Sequence, residues 1–349
     1  MDKTKIAIVG CGGMARGHAS RFDMILDQVE VVAAVDVVRE KAQAVADLLP
    51  GDVKVTEDYR DVLDDIDAAL LVLPHHLHHP VTMDCLAHGK HVLVEKPMAN
   101  SEQECVEMIN AAREADRVLM VAYCMRFHPL VVKLKELLAD KTYGECFQFS
   151  LWTEQLTKYP EDHWASSAKT LGGGQLFSHG CHYIDLMLWM MGQPVSGTHF
   201  GTNFCTPWME REGTSHVTIE FDNGAIGYHQ GTWGARGSRL RYSFHAHCED
   251  GMLEVAFTQG QLILHSQMRP HVPGEPERSG EEILLEAPAA KSTEIEMAHF
   301  IECIRTGAKP LTDGVGSLEG LQVIWALYEA EERQALADLR GLGLGTWQG

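Results

Sequence analysis

The stretch KIAIVGCGGMA, residues 5–15, decides how the rest of the chain is read. A short apolar, β-branched run stops at glycines, and residues 14–26 can continue from them as a helix. Strand, glycine turn and helix in that order make a G-x-G-x-x-A version of the dinucleotide fingerprint. Gly10 permits the tight turn and Gly12 lets the backbone approach a pyrophosphate. Gly13 and Met14 open the helix whose N-terminus faces the phosphates, and Ala15 is small enough for that helix to pack on the strand. A glycine turn alone is weak support, so its surroundings carry the weight.

Working outward, the alternation repeats. Apolar runs at 31–35 (VVAAV), 53–55, 69–73 (ALLVL), 91–94 (HVLV) and 117–123 (RVLMVAY) are separated by helical stretches near 38–49, 59–63, 79–88 and a Ser-capped 101–115. Six apolar runs joined by helices predict an α/β, Rossmann-type doubly wound parallel sheet, because crossover helices bury both faces of each strand. Asp36 ends the second run, where a carboxylate can hold ribose hydroxyls and would repel a 2′-phosphate. This favours NAD, and Arg39 nearby offers a counter-charge that leaves NADP open.

Past Tyr123 the pattern changes. A helix near 129–138 leads into the strand-like ECFQFSLW (145–152), a Gly-rich turn, a helix at about 180–191, and alternating runs at 216–221, 225–233, 240–247 and 261–265. Turns at Asp222-Asn223-Gly224 and Asp250-Gly251 between such runs predict an antiparallel sheet. The chain thus divides into a nucleotide-binding domain, 1–123, and a substrate-binding and oligomerisation domain, 124–349, as a length of 349 residues suggests at about 150 per domain. Residues 267–279, with three prolines, read as a loop; helices are expected at about 293–305 and 317–337, and the tail GLGLGTWQG reads as an exposed end.

Composition limits the function classes. Hydrophobic residues are 45% and charged residues 22%, an ordinary globular mixture. A formal net charge of −20 repels phosphate backbones and anionic membranes, so neither nucleic acid nor membrane is an expected partner. Nine cysteines without a CxxC pair read as thiols of a reducing compartment, and together with the lack of an export signal they place the protein in the cytoplasm. One face of the antiparallel sheet lacks crossover helices, which predicts a homodimer or homotetramer through that face.

Four segments in order, GCGGMARGH, Glu95-Lys96-Pro97, Arg126-Phe127-His128-Pro129 and GGGQLFSHGCHYIDLMLWMMG, give the chain a resemblance to the glucose-fructose oxidoreductase, inositol dehydrogenase and MocA family over nearly its whole length. The resemblance implies a C-terminal α+β domain on a large, open, mainly antiparallel sheet, and NAD(P)-dependent oxidation of sugars, inositols or related polyols. It implies that Lys96 contacts the substrate hydroxyl, that the Lys96–Pro97 bond is cis, and that Glu95, Lys96 and Arg126 border the cofactor. It makes His182 the acid/base, a role that suits an imidazole near neutral pH. The family motif carries Asp where this chain has Ser178, so the lysine, aspartate, histidine set is incomplete. On a helix, positions 178, 182 and 185 share one face, which makes Asp185 a candidate to orient His182 or to bind substrate.

The resemblance also places Leu73, Pro74, His75 and His78, within LPHHLHHP, beside the nicotinamide or its ribose; no carboxylate or Cys stands at ligand spacing there, so no metal is expected. Trp164 matches a tryptophan that lines the substrate cleft, with Arg126, Tyr159, Lys158 and His163 as further substrate candidates. Three functions remain in view: an NAD-dependent dehydrogenase of a sugar or cyclitol, an NAD-using glycosidase or lyase working through transient ring-carbon oxidation, and a nucleotide-sensing regulator. The presence of Lys96 and His182 disfavours the third.

Overall fold

The structure, a computed structural model, describes residues 3–267 and 279–349. The first sheet contains β1 (Thr4–Val9), β2 (Val29–Val35), β3 (Lys54–Thr56), β4 (Ala68–Leu71), β5 (His91–Glu95) and β6 (Leu119–Ala122), in the order β3-β2-β1-β4-β5-β6 and parallel throughout. All four residues of β4 and of β6 are buried, as expected of strands covered on both faces. The strand order reverses between β1 and β4, and the crevice beyond their carboxyl ends is where such sheets bind ligands.

Helices α1 (Gly13–Ala19), α2 (Arg39–Ala46), α3 (His78–Ala87) and α4 (Glu102–Glu114) join these strands. Helix α1 is shorter than its apolar pattern predicts. The Gly17 carbonyl accepts from Ser20 Oγ at 3.0 Å and from Arg21 Nη1 at 2.7 Å, and the chain continues as a 3-10 turn over Phe22–Ile25. Helix α4 is capped as expected, the Ser101 hydroxyl accepting from the Glu104 N–H.

The second layer begins with α5 (Pro129–Ala139) and β7 (Cys146–Glu154), then α6 (Ala168–Leu171) and α7 (Cys181–Met191). Strands β8 (Pro194–Thr202), β9 (Thr214–Phe221), β10 (Ile226–Thr232), β11 (Tyr242–Cys248), β12 (Gly251–Ala256), β13 (Gln261–Gln267) and β14 (Ser279–Glu286) come next, and then α8 (Thr293–Thr306), α9 (Gly314–Glu332) and β15 (Ala337–Asp338). Their sheet runs β14-β13-β12-β11-β7-β10-β9-β8-β15. It is antiparallel except for the β7–β10 pair, which is parallel because the chain crosses over through α6 and α7 before returning. Phe149, Leu151, Ile219, Phe244 and Leu253 share a core with α7, which is buried on nearly every side.

Helix α8 returns to the first sheet. Met297, Phe300 and Ile301 pack with Ile6, Ile8 and Ala15, while the Val121 N–H donates to the Thr312 carbonyl at 2.9 Å just before α9. Four strands escaped the sequence pattern: β8, β12, β14 and the short β15. The loop expected at 267–279 lies outside the described residues except at its ends, where Gln267 closes β13 and Ser279 opens β14. The tail is docked and not an exposed end: Leu342, Leu344 and Trp347 pack against the core, and Gly345 N–H and Trp347 N–H donate to the Glu319 carboxylate at 2.8 and 2.9 Å. Glu319 is itself buried in α9, and these backbone donors satisfy it. Among the described residues no helix is long and apolar enough to cross a membrane.

Candidate active site

A cavity of about 1140 Å³ opens between the two layers, with the carboxyl ends of β1, β2, β4 and β5 as one wall. At its floor Gly10 has φ +90°, and a Cβ there would lie 2.2 Å from the Val72 carbonyl oxygen, so glycine is required. A Cβ on Gly12 or Gly13 would meet nothing within 4 Å, which leaves both backbones open to the cavity. Ala15 is fully buried behind them. Asp36 lines the wall beside Val37 and Val38; its Oδ2 accepts from Cys11 N–H at 2.8 Å and its Oδ1 from Val38 N–H at 2.9 Å. Each oxygen keeps a second lone pair for a ribose hydroxyl. An open glycine floor with a carboxylate at the second strand fits a dinucleotide. Arg39 is not on this wall: it turns to the Val55 carbonyl at 3.4 Å, and Lys41 and Arg60 are the cations that line this end.

Lys96 sits at the end of β5, and its bond to Pro97 is cis, as the resemblance implied. Its Nζ donates to the Ser178 carbonyl at 3.0 Å. Beside it Glu95 is buried and pairs with His18 Nε2 at 3.0 Å, tying α1 to the cavity end of β5. Burial acts to raise the Glu95 pKa, but His18, Lys96 and Lys291 outweigh it and bring it down to about 2. Lys291, just before α8, reaches over the glycine turn and donates to Met14 Sδ at 3.6 Å.

Leu73, Pro74 and His75 line the cavity. The His75 ring lies edge-on to Trp164, centroids 4.8 Å apart, with Nδ1 2.8 Å from the Leu171 carbonyl. His78 does not border the cavity. It is fully buried, with Nδ1 2.8 Å from the Pro97 carbonyl and Nε2 2.9 Å from the Leu73 carbonyl, so it braces the two loops that carry the wall.

The glycines at 172–174 are demanded by packing: a Cβ on Gly174 would lie 2.1 Å from Glu212 Oε2. Tyr328 Oη accepts from Gly174 and Phe177 N–H at 3.2 Å and donates to Glu212 Oε1 at 2.6 Å. After Gln175, the five residues Leu176–Gly180 form a π-helical turn before α7. Such a turn holds more residues than an α turn and shifts the phase of the helix after it. Ser178 and His179 therefore line the cavity, whereas His182 does not. His182 is 2% exposed, both ring nitrogens lack a partner, and Tyr123 stands edge-on at 5.7 Å. Its placement departs from the expectation that it meets substrate. Asp185 also departs, because it orients no imidazole: its two oxygens accept from Arg126 Nε at 2.7 Å and Nη2 at 2.6 Å. Arg126, bound in that buried pair, is likewise absent from the cavity wall.

The opposite wall carries Trp164, Tyr159 and His163, the last two stacked at 4.5 Å. Lys158 is exposed and off this wall. Gln155, His179, Trp233, Tyr242 and Lys291 complete the site and were not singled out from sequence. Gln155, Trp233, Tyr242 and Lys291 lie in ordinary strand and loop segments without a motif to flag them, while His179 stands inside the glycine-rich motif but between its signature positions.

A nucleotide-binding parallel sheet whose strand ends present a lysine to a cavity, closed by a second, mostly antiparallel sheet, defines a nicotinamide-dependent oxidoreductase. Residues 4–123 match the family described as an oxidoreductase family with an NAD-binding Rossmann fold, and residues 131–254 match its C-terminal domain. The chain belongs to the GFO/IDH/MocA oxidoreductase family. Among its relatives is scyllo-inositol 2-dehydrogenase (NAD(+)) of Bacillus subtilis strain 168, 24% identical over 330 residues that cover 92% of each chain. Another is 2,7-anhydro-N-acetylneuraminate hydratase of Mediterraneibacter gnavus, 29% identical over 208 residues, covering 58% of this chain and 54% of that one. Levoglucosan dehydrogenase solved in complex with NADH has the same fold, with a TM-score of 0.83 at 20% identity over 97% of this chain and 99% of that one.

Proposed function

We propose that the protein uses NAD to oxidise a secondary alcohol of a sugar, sugar derivative or inositol, or to reduce the matching ketone, with Lys96 holding the reacting oxygen. The observation that carries this reading is the Lys96 ammonium at the strand end, resting on the Ser178 carbonyl and facing the cavity above the open glycine floor. When bound, the nicotinamide supplies the hydride acceptor. An ammonium has three N–H groups, and the one given to Ser178 leaves two for a substrate oxygen. As alkoxide character develops, that fixed positive charge stabilises it. Trp164, Tyr159 and Trp233 offer ring faces and edges, and Gln155 and Tyr242 offer polar atoms, which suits a compact polyhydroxylated ring.

The test is a panel of sugars and inositols incubated with NAD and followed by NADH absorbance. Stoichiometric NADH is expected, and Lys96→Ala is expected to lower turnover about 10²- to 10³-fold while NADH affinity stays constant. A second reading, a glycosidase or lyase that oxidises its substrate only transiently, is favoured by the relative named as a hydratase. It requires product formation without net NADH.

In this reading residues 1–123 are the nucleotide domain and 124–349 the substrate and oligomerisation domain. The sheet face turned away from α7 supports assembly as a homodimer or homotetramer. It carries Phe200, 72% exposed, and Ile226, 49% exposed, and there Trp152 packs on Tyr228 and His245 with centroids 6.1 and 4.6 Å apart. A monomer by light scattering at micromolar concentration would contradict it. Nine free cysteines support a cytoplasmic setting.

A further inference from the structure

We propose that His179, one residue past the motif serine, is the proton acceptor of this active site, held by Gln175 and Tyr242. The inference rests on the oxidoreductase reading above, in which Lys96 holds the substrate oxygen.

The π turn sets the stage. It brings the Ser178 carbonyl under the Lys96 ammonium and turns the adjacent His179 ring into the cavity. A group that takes a proton in every turnover must also release it, so it needs contact with the cavity or with a polar chain. His179 has both. His182 has neither, since both its nitrogens are enclosed without a hydrogen-bond partner and even the His179 ring is 6.3 Å away, centroid to centroid. Ser178 cannot fill the role, because a neutral hydroxyl does not take up a proton near neutral pH.

The hydrogen bonds around His179 suit a ring that changes protonation. Its Nδ1 lies 3.4 Å from the Gln175 amide nitrogen and its Nε2 lies 3.4 Å from Tyr242 Oη, both long enough to leave the ring unlocked. The Gln175 Oε1 has no partner, and a half-turn of the amide places that oxygen on Nδ1. With Nδ1–H donating to Gln175, Nε2 presents a lone pair toward the cavity. After proton uptake both N–H groups have acceptors, Gln175 Oε1 and Tyr242 Oη. The Tyr242 hydroxyl in turn donates to the Gln155 side-chain carbonyl, which also lines the cavity.

The transfer balances in atoms and electrons. The substrate O–H breaks and its proton goes to His179 Nε2. The O–H electron pair becomes the second carbon–oxygen bond, and the carbinol hydrogen leaves with its own pair as hydride to oxidised nicotinamide. Reduction runs the same path backwards. The groups facing His179 are Lys96 at the end of β5, Lys291 before α8, His182 and Tyr183 on α7, His229 on β10 and Tyr242 on β11. Burial, then Lys96 and Lys291, hold the His179 pKa well below its ordinary value, so the ring starts neutral at pH 7 with its lone pair free.

The experiment compares His179→Asn, His179→Gln, His182→Asn and Tyr242→Phe with the unaltered enzyme on an alcohol that it oxidises, measuring kcat, KM, the pH profile of kcat/KM, and NADH binding by fluorescence. Both His179 variants are expected to lose about 10²- to 10⁴-fold in kcat. Their KM and NADH affinity stay within about twofold and the acid limb of the profile disappears. Tyr242→Phe shifts that limb with a smaller loss, and His182→Asn keeps the limb. Near-normal kcat in the His179 variants, or loss of the acid limb in His182→Asn alone, overturns the assignment. Failure of the unaltered enzyme to oxidise any polyol overturns the dehydrogenase reading itself, and this assignment with it.

Discussion

Removing the charge of Asp185 strands a guanidinium inside the protein. Arg126 lies in the turn after β6 and Asp185 in the middle of α7, so the pair joins the two layers; the side chains are 7% and 3% exposed, and the guanidinium carbon stands 5.0 Å from the Trp189 ring centre. Asp185→Asn keeps the shape but leaves Arg126 without its counter-charge, a change that costs about 3 to 5 kcal/mol for a buried pair. An unfolding entropy of about 2.1 cal/mol/K per residue gives roughly 0.7 kcal/mol/K for this chain. The Tm is therefore expected to fall by about 4 to 7 °C. The double variant Arg126→Met, Asp185→Leu removes both charges and is expected to recover most of the loss. Differential scanning calorimetry reads both, with NADH binding as the check on folding at 25 °C. A Tm change under about 1 °C for Asp185→Asn, or a double variant less stable than the single, would refute the reasoning. Lost turnover at unchanged Tm would instead restore the view that Asp185 acts in catalysis.

Three further outcomes are expected. Because the Asp36 carboxylate repels a 2′-phosphate, NADH should bind at least about tenfold tighter than NADPH, roughly 1.4 kcal/mol, and Asp36→Asn should narrow that ratio in isothermal titration. Glu95 titrates near 2 when folded against an ordinary 4.5, so its contribution of up to about 3 kcal/mol is complete above pH 4.5 and is lost as the pH falls toward 2. Urea titrations of Glu95→Gln should show a flatter decline over that interval. Glu296 is fully buried with neither oxygen bonded, and burial, with Glu95 beside it, pushes its pKa well above the ordinary value. A raised carboxyl pKa costs stability increasingly as the pH climbs past 4.5. Glu296→Gln should therefore gain about 1 to 3 kcal/mol at pH 7, and little at pH 4.

The parallel sheet was legible because its strands are continuous apolar runs between helices, each signal local to a few residues. Asp36 and Gly10 were legible for the same reason, standing at strand ends where their backbone positions are set by the run itself, and Lys96 through the Glu95-Lys96-Pro97 segment that carries the family resemblance. Strand β8, PVSGTHFGT, carries two glycines and begins at proline, so its alternation is faint; it is held by pairing along its length to β9 and by Ala337 from the far end of the chain. The docked tail is held by a buried carboxylate, Glu319, whose need for donors no local pattern announces, and by Leu342, Leu344 and Trp347 packed on the core. The positions of His179 and His182 turned on a single π turn. Helical spacing assumes 3.6 residues per turn, and after one wider turn His182 no longer shares the cavity face with Ser178, whereas His179 does line it. Lys291 has no local motif, and only the return of α8 to the first sheet brings it over Met14.

The two walls of the cavity are written in separate stretches of the chain. The floor under a dinucleotide comes from residues 10–14 and Asp36, while the facing side chains Gln155, Tyr159, Trp164, Trp233 and Tyr242 come from the second layer. For anyone wishing to redirect this protein, a combinatorial library confined to the codons for Tyr159, Trp164 and Trp233 samples new alcohols while the coenzyme requirement and the polar chain through Tyr242 and Gln155 stay fixed. Variants selected from it would plug into the same NADH-recycling cascade without re-optimisation, and the screening signal would remain comparable across every clone.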